Sequence, residues 1–316
     1  MNRYAVFTGS CLSLPAIEYL HKANLLACVV LPDGEPNSDL LQLQQWLKHQ
    51  QIAVLGYSNK DDQQLIASLD GLQAQKGMVY LFRHKIRKDL IQYFNQELVN
   101  IHPSHLPDYR GPQPLYWQIR NGETTTALTI HKVAEELDSG DIGYRVDIDI
   151  HPFETIKCLH QKVAQTLPYL VSNFIQLDKE HKLAWHKQPS GGNKLAPAIE
   201  HVDLFIDWFK HSTHEIVNMA RAGNADMTCA VFRFSQSTFQ LIQASKVDCT
   251  LSGIKPGTII ELDKSVGLII KTSDGAVKLD IIGTQQGCFD GYRFAMLFAL
   301  DPGMELESGA GNDFRY

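Results

Sequence analysis

The sequence predicts an open, mostly parallel α/β sheet followed by a smaller β-rich domain that forms an open barrel. Three observations carry that expectation. Residues 3–8, 14–23 and 25–31 read as strand, helix and strand, the spacing of a βαβ unit; the run LLACVVL at 25–31 is continuously apolar, as a parallel strand covered on both faces must be. Gln188 to Asn193, with Pro197 after it, is the clearest linker, rich in Pro, Gly and Ser. Beyond it, β-prone runs at 230–234, 239–244, 258–261, 267–272 and 277–282 recur every ten to twenty residues or so, with Pro-Gly and Asp-Gly turns between them. At 316 residues the chain is longer than one usual domain, and the expected divisions are 1–187, a linker at 188–200, and 201–316.

The turn after the first strand, Thr8-Gly9-Ser10-Cys11, lacks Gly-x-Gly-x-x-Gly, which argues against a dinucleotide site. Residues 32–37 form a turn-rich loop, and Ser38 or Asp39 can cap a helix reaching His49. Residues 52–55 read as strand three. Ser58 or Asn59 caps the next helix, whose first turn carries Asp61 and Asp62 at the positive helix end. Residues 77–82 (GMVYLF) read as strand four, followed by a basic cluster of Arg83, His84, Lys85, Arg87 and Lys88 that reads as a solvated loop. A buried run at 97–99 leads into Asn100. A helix begins at 115–119 and ends at Asn121-Gly122, and the alternating segments 125–131 and 141–150 read as strands at a mixed edge of the sheet. Residues 155–177 form a long amphipathic helix despite Pro168. After the linker, the capping box Ser212-x-x-Glu215 opens a helix to Ala222.

Composition bounds the function. Apolar residues make up 44% and charged residues 20%, ordinary for a globular protein, and a net charge of −6 gives no electrostatic footprint of a nucleic-acid binder. The cysteines at 11, 28, 158, 229, 249 and 288 include no Cys-x-x-Cys, which fits reduced thiols in a cytoplasmic protein and no zinc site. The chain opens on RYAVFT without a basic start and apolar core, and no apolar run approaches the ~20 residues of a membrane helix. A cytoplasmic protein with no metal and no membrane partner is expected.

The chemistry concentrates between Asn100 and Asp141. Asn100 and His102 stand two apart on a strand, so their side chains share a face, and Pro103 and Pro107 end the strand and stiffen the loop beyond it. Asp138 lies in the polar turn Leu137-Asp138-Ser139-Gly140-Asp141. An amide, an imidazole and a carboxylate suit acyl transfer through a tetrahedral intermediate. The Asn N–H stabilises developing negative oxygen, the His exchanges protons near neutrality, and the Asp orients the ring or takes a proton from an amine. No Ser, Cys or Lys nucleophile is required, so the acyl group passes directly from donor to acceptor. His131 ends the segment leading to Asp138 and reads either as facing this site or as a hydrogen-bonded structural histidine.

The motifs NIHPSHLPDYRGPQP and ALTIHKVAEELDSGDI resemble those of the folate-dependent formyltransferases, including methionyl-tRNA and sugar N-formyltransferases, in the right order and separation. The resemblance implies a Rossmann-like catalytic domain, 10-formyltetrahydrofolate as formyl donor, and Asn100, His102 and Asp138 as catalytic residues. It implies a folate site at Leu81, Phe82, Arg83 and His84 with Ser139, Gly140 and Asp141, and an acceptor side near Gly9, Ser10, Tyr109, Arg110 and Gly111. The basic cluster after Phe82 could attract the folate glutamate tail. Ile206-Asp207-Trp208 and Ile216-x-x-x-Ala220-Arg221-Ala222 resemble the start of the family's C-terminal domain. Three departures stand out. His105 replaces the usual Leu of Ser-Leu-Leu-Pro. Ala225 to Ala230 replace a Pro-Gly-Ala segment. Residues 32–37 are short and acidic where tRNA-directed members carry a long basic loop. A small or carrier-bound amine is therefore the expected acceptor and methionyl-tRNA the second choice, although Lys246, Lys255, Lys264 and Lys271 would suit a basic face. Hydrolysis of the formyl donor by water and non-catalytic folate binding are the remaining alternatives.

Overall fold

The computed structural model describes residues 3–58, 62–189, 191, 194–226, 228–248 and 252–309. Asn59, Asp61, Ser190, Gly192, Asn193, Met227 and Cys249 lie outside the described residues. In chain order the elements are β1 (Arg3–Phe7), α1 (Leu14–Lys22), β2 (Leu26–Pro32), α2 (Ser38–His49), β3 (Val54–Tyr57), α3 (Asp62–Gly71), β4 (Ala74–Val79), α4 (Lys88–Tyr93), β5 (Leu98–His102), α5 (Pro114–Arg120), β6 (Thr125–Lys132), β7 (Ile142–Asp149), α6 (Ile156–Lys179), α7 (Thr213–Gly223), β8 (Ala230–Phe234), β9 (Ser237–Val247), β10 (Ile259–Asp263), β11 (Gly267–Lys271), β12 (Ala276–Thr284), β13 (Gly287–Phe289) and α8 (Gly291–Phe298). They fall into two compact units. One comprises 1–114, 125–149 and 159–197, the other 115–124, 150–158 and 198–316.

The first unit is built on a seven-stranded sheet of order β3-β2-β1-β4-β5-β6-β7. β1 to β5 pair in parallel, while β6 and β7 add antiparallel strands at one edge. Strand order reverses between β1 and β4, the switch point beyond whose carboxyl ends open α/β sheets bind ligands. Every residue of β2 is buried, as its unbroken apolar run requires. A cluster on this unit centres on Phe7, Tyr57, Leu90 and Phe94, with Phe7 and Phe94 meeting edge to face at 6.1 Å.

Several boundaries differ from the sequence reading, each for a local reason. The α2 cap is Asn37, whose Oδ1 accepts from Leu40 N at 2.8 Å, rather than Ser38 or Asp39. β3 starts two residues later than read, at Val54. β4 begins at Ala74 and ends at Val79, earlier than the apolar run 77–82 indicates. Lys76 disguises its start: this buried lysine pairs with Glu97 at 2.8 Å and Asp178 at 2.6 Å, a cation where a buried strand is expected to be apolar. Past β4, Leu81 turns to φ +51°, so Phe82 lies beyond the strand. The basic cluster ends in α4 rather than in loop alone, with Arg87 at the N-cap, Asp89 in the first turn and Leu90 fully buried. Arg87 does not serve solvent; its guanidinium grips the Asp62 carboxylate.

The second unit carries an antiparallel sheet of order β10-β11-β12-β9-β8, with β13 pairing to β12. Residues 303–309 run from one end of that order toward the other. Leu306 N donates to Gly257 O at 2.8 Å and Glu307 N donates to Arg233 O at 2.9 Å, which draws the sheet toward closure. Ser212 and Glu215 form the expected capping box at α7. β13 and α8 are absent from the sequence reading. Both are short, and α8 starts on a glycine behind its cap Asp290, whose Oδ1 accepts from Arg293 N at 2.8 Å. Trp208, Phe232, Phe239 and Phe294 anchor this unit's core.

Truncating Phe94 to Ala should cost about 3–5 kcal/mol, because a fully enclosed ring leaves a cavity that the sheet fills poorly. Urea unfolding of the variant checks this, and an unchanged midpoint would mean that the Phe7–Phe94 contact does not hold the sheet.

Candidate active site

Strand register brings the polar side chains together. β5 and β6 are antiparallel with Asn100 opposite His131 and His102 opposite Thr129, so Asn100, His102 and His131 share one face of the sheet. The loop after β6 doubles back: Lys132 N donates to Asp141 O at 2.9 Å and Val133 N donates to Leu98 O at 3.0 Å. Asp138 sits in this loop at φ +54°, a conformation that Asp and Asn tolerate better than most residues because of their short polar side chains. Gly140 packs so tightly that a Cβ there would lie 1.9 Å from Lys132 O.

The result is a cluster around one carboxylate. Asn100 Nδ2 lies 3.0 Å from His131 Nε2 and donates to Asp138 Oδ1 at 3.3 Å. Gly111 N donates to Asp138 Oδ2 at 3.1 Å. His102 Nδ1 and His131 Nε2 each stand 3.6 Å from an Asp138 oxygen. His102 Nε2 donates to Tyr109 O at 2.8 Å, and His131 Nδ1 donates to Lys132 O at 2.9 Å. These carbonyl partners place a proton on Nε2 of His102 and on Nδ1 of His131. The same logic orients Asn100, since turning its oxygen toward Asp138 would set two acceptors against each other. His102, His131 and Asp138 are buried, and Asn100 is half-buried, so the amide is the member nearest to solvent.

Burial disfavours charge on both titrating members. It pushes the His102 pKa below its ordinary value, the Asp138 carboxylate opposing this only in part. Burial alone would raise Asp138, but the neighbouring imidazoles of His131 and His102 and the hydrogen bond from the Gly111 N–H hold it below the usual carboxylate range. The resting site therefore holds a neutral His102 beside an ionised Asp138.

The other expected site residues separate into two groups. Gly9 N donates to Leu81 O at 3.1 Å, so Gly9 and Leu81 meet across the switch point, and Ser10 Oγ accepts from Leu12 N. Gly9 and Ser10 thus stand with the Leu81 turn, whereas Tyr109 and Gly111 contact His102 and Asp138 directly. Phe82 packs edge to face on Phe7, Tyr57 and His84, with centroids 5.3 to 5.8 Å apart. Arg83 Nη2 donates to Asp33 O at 2.7 Å, which ties this turn to the loop at 32–37. Ser139 Oγ donates to Glu136 O at 2.9 Å. His105 Nε2 meets Asp147 Oδ1 at 3.1 Å and stays outside the cluster.

Sequence reasoning does not identify two of the participants. His131 stands open there between two readings; its cross-strand position opposite Asn100 resolves its place, and alternation along 125–131 marks a strand without fixing that register. Gln188, which reads as the start of the linker, donates from Nε2 to Asp138 O at 2.7 Å and to Gly140 O at 2.8 Å. Nothing local in the sequence marks that long-range contact. A separate surface pocket is lined by Tyr4, Lys76, Glu97, Lys132, Asp178 and Trp185 and contains none of the cluster. Its charges are already paired, Lys76 with Glu97 and Asp178, and Lys132 Nζ sits 4.9 Å over the Trp185 ring.

With this geometry in place, comparison with known proteins is decisive. Residues 32–173 match the formyl transferase family and residues 198–287 match the formyl transferase C-terminal domain. A methionyl-tRNA formyltransferase of Sulfurihydrogenibium sp. is 30% identical over 71% of this chain and 71% of its own length. The chain belongs to the formyl transferase family. It is therefore an enzyme of the class that transfers formyl groups. A methionyl-tRNA formyltransferase of Fusobacterium nucleatum is 26% identical over 86% of this chain and 89% of its own. The fold is shared with the sugar 3N-formyl transferase WlaRD, solved in the presence of dTDP and 5-N-formyl-THF: TM-score 0.64, 18% identity, 88% of this chain and 96% of that one. It is shared as well with HypX from Aquifex aeolicus in complex with tetrahydrofolic acid, at TM-score 0.58 and 16% identity over 98% of this chain and 51% of that one. No helix is long and apolar enough to cross a membrane among the described residues.

Replacing Gly140 by Ala should lower the melting temperature by several degrees, because the added carbon meets a backbone oxygen that cannot turn aside. Differential scanning fluorimetry reads this directly. Acidification should also destabilise the fold. With the folded pKa of His102 lowered, the unfolded chain binds the extra proton, so stability falls as pH drops through about 6.5; Asp138 adds its own loss only below about pH 4. A His102→Gln variant should lose less stability between pH 7.5 and 5 than the parent, and equal losses would show that His102 is not the group responsible.

Proposed function

We propose that this enzyme transfers a formyl group from 10-formyltetrahydrofolate directly to a primary amine, with Asn100, His102 and Asp138 as its catalytic residues. The half-buried Asn100 amide, held between His131 and a buried, ionised Asp138, is the observation that carries the reading. Its 3.3 Å bond to Asp138 is the longer of its two contacts, and a developing oxyanion can compete for that N–H as the amine adds to the formyl carbon. The neutral His102 presents an unprotonated Nδ1 toward Asp138. A proton leaving the amine and captured there yields an imidazolium that the carboxylate stabilises, and the same proton can then pass to the departing folate nitrogen. Asp138 thus supports the imidazolium electrostatically rather than acting as a strong base, in keeping with its lowered pKa, while Tyr109 O holds the ring through Nε2.

The folate reading rests on place and on relatives. Leu81 to His84 and Ser139 to Asp141 lie at loops following the sheet, with Leu81 at the switch point, and the structures resembling this fold include folate complexes. Because Phe82 is committed to Phe7 and Tyr57, the turn would meet a pterin through backbone groups rather than as an aromatic wall. Direct acyl transfer of this kind requires no metal.

The acceptor we favour is a small or carrier-bound amine approaching near Tyr109, Arg110 and Gly111. The loop at 32–37 carries Asp33 and Glu35 and has no cation for phosphate. Of the four lysines considered for a basic face, three support it poorly: Lys271 is buried with Nζ donating to Thr272 O and Gly275 O, Lys255 pairs with Glu305, and Lys246 lies 3.6 Å from Asp248, while Lys264 is exposed. Methionyl-tRNA is the second reading, favoured by relatives of that name at about 30% identity.

Asn100→Ala should reduce kcat about 10²–10³-fold with little change in folate affinity; an unchanged kcat removes the assigned role. Formylation measured across charged initiator tRNA, nucleotide-linked amino sugars and amino acids, with a no-acceptor control for hydrolysis, tests the acceptor. Turnover should favour a small amine, whereas tRNA formylation losing roughly 0.7–0.9 log units of affinity per phosphate contact per decade of salt, without small-amine activity, would select the second reading.

A further inference from the structure

We infer that Gln188 is a positioning residue for Asp138, locking the carboxylate loop against the Tyr109–Gly111 turn from a segment that reads as linker. The inference rests on the catalytic reading of Asp138 and adds to it a residue outside both motifs.

One amide holds both sides of the site. Gln188 Nε2 donates to the carbonyls of Asp138 and Gly140 at 2.7 and 2.8 Å, spanning the turn that contains Ser139. Its Oε1 accepts from Arg110 Nε at 3.1 Å and Nη2 at 2.5 Å. Donors and acceptor are all used, so the amide has one favourable orientation. Arg110 directly precedes Gly111, whose N–H binds Asp138 Oδ2, so both supports of the carboxylate converge on Gln188. The strap beyond it is stitched to the same turn: Tyr109 N donates to Lys194 O at 2.6 Å and Ala196 N donates to Arg110 O at 2.9 Å. A Cβ on Gly111 would lie 2.4 Å from Ala196 O, which shows how closely the strap lies.

Asp138 needs such support. Its backbone is in the left-handed region, which Asp tolerates better than most residues but still at a cost, so the turn gains from fixed partners. Freeing two of its loop's carbonyls lets the carboxylate drift from His102, His131 and the Gly111 N–H, and a displacement of about 1 Å in a reacting constellation can cost on the order of 10²-fold in rate. Gln188 touches no reacting atom; it acts through Asp138.

The test uses Gln188→Ala and Gln188→Glu in the full chain, with Asn100→Ala as reference. Gln188→Glu keeps an acceptor for Arg110 and removes both donors, so it separates the grip on the carbonyls from the grip on Arg110. Both variants should lower kcat about 10- to 100-fold, with the KM for 10-formyltetrahydrofolate within about threefold of wild type. The acceptors are methionyl-tRNA and a dTDP-linked amino sugar, assayed separately. An acceptor-independent readout is the His102 ring titration followed by nitrogen-15 NMR. His102 is faced by Asp138, His131 and Arg110, and losing the carboxylate should move its midpoint further down. Wild-type kcat in both variants, an unmoved His102 midpoint, or a folate KM rising in step with the fall in kcat would each overturn the inference. Should Asn100→Ala transfer formyl at the wild-type rate, the reading of the site fails instead, and the midpoint still reports on Gln188.

Discussion

A buried carboxylate with every neighbour turned toward it is the constraint on which the rest of this structure depends. Asp138 is 7% exposed, and an ion so enclosed persists only where donors and positive ends of dipoles replace water. The protein assembles its surroundings from separate places: the Asn100 amide from β5 and the Gly111 N–H from the loop after Pro107 donate to the carboxylate, His102 and His131 stand beside it, and Gln188 holds the backbone carbonyls of its loop. Each element is then fixed by what it contributes. β6 must run antiparallel to β5 so that His131 falls opposite Asn100, and residue 140 must be glycine so that the loop can close on Lys132 O.

Much of this was legible in the sequence, because it is encoded by short-range rules. The i and i+2 spacing of Asn100 and His102 sets them on one face of a strand, and the family motifs around them place Asp138 at the same site. The alternating segments 125–131 and 141–150 predict an antiparallel edge, and the capping box at Ser212 predicts where α7 starts. The features that escape reading depend on contacts remote in sequence. Lys76 conceals a buried strand because its partners Glu97 and Asp178 lie far along the chain. Gln188 looks like linker because polar residues beside Pro and Gly carry no mark of the carbonyls they bind. Phe82 ends an apolar run, yet the chain turns at Leu81 before reaching it and lays the half-buried ring against the edge of the core.

The acceptor question is one of electrostatics rather than of fold. Catalytic geometry of this kind needs only an uncharged amine near the formyl carbon, so it says little about what bears that amine. The discriminating features lie elsewhere, in the short loop at 32–37 that Arg83 ties down and in a C-terminal sheet whose lysines are largely neutralised by nearby acids or buried. Relatives at about 30% identity are named methionyl-tRNA formyltransferases, while the fold is shared with a sugar 3N-formyl transferase at 18% identity. A single scaffold thus accommodates acceptors of very different size.

That the ionised Asp138 and its hydrogen-bonded neighbours perform the transfer is tested most directly by single-turnover formyl transfer in Asp138→Asn. This substitution keeps the shape and removes the charge. The expected result is a fall of about 10³-fold or more in the chemical step, with tetrahydrofolate affinity nearly unchanged. A rate within about tenfold of the parent would contradict it.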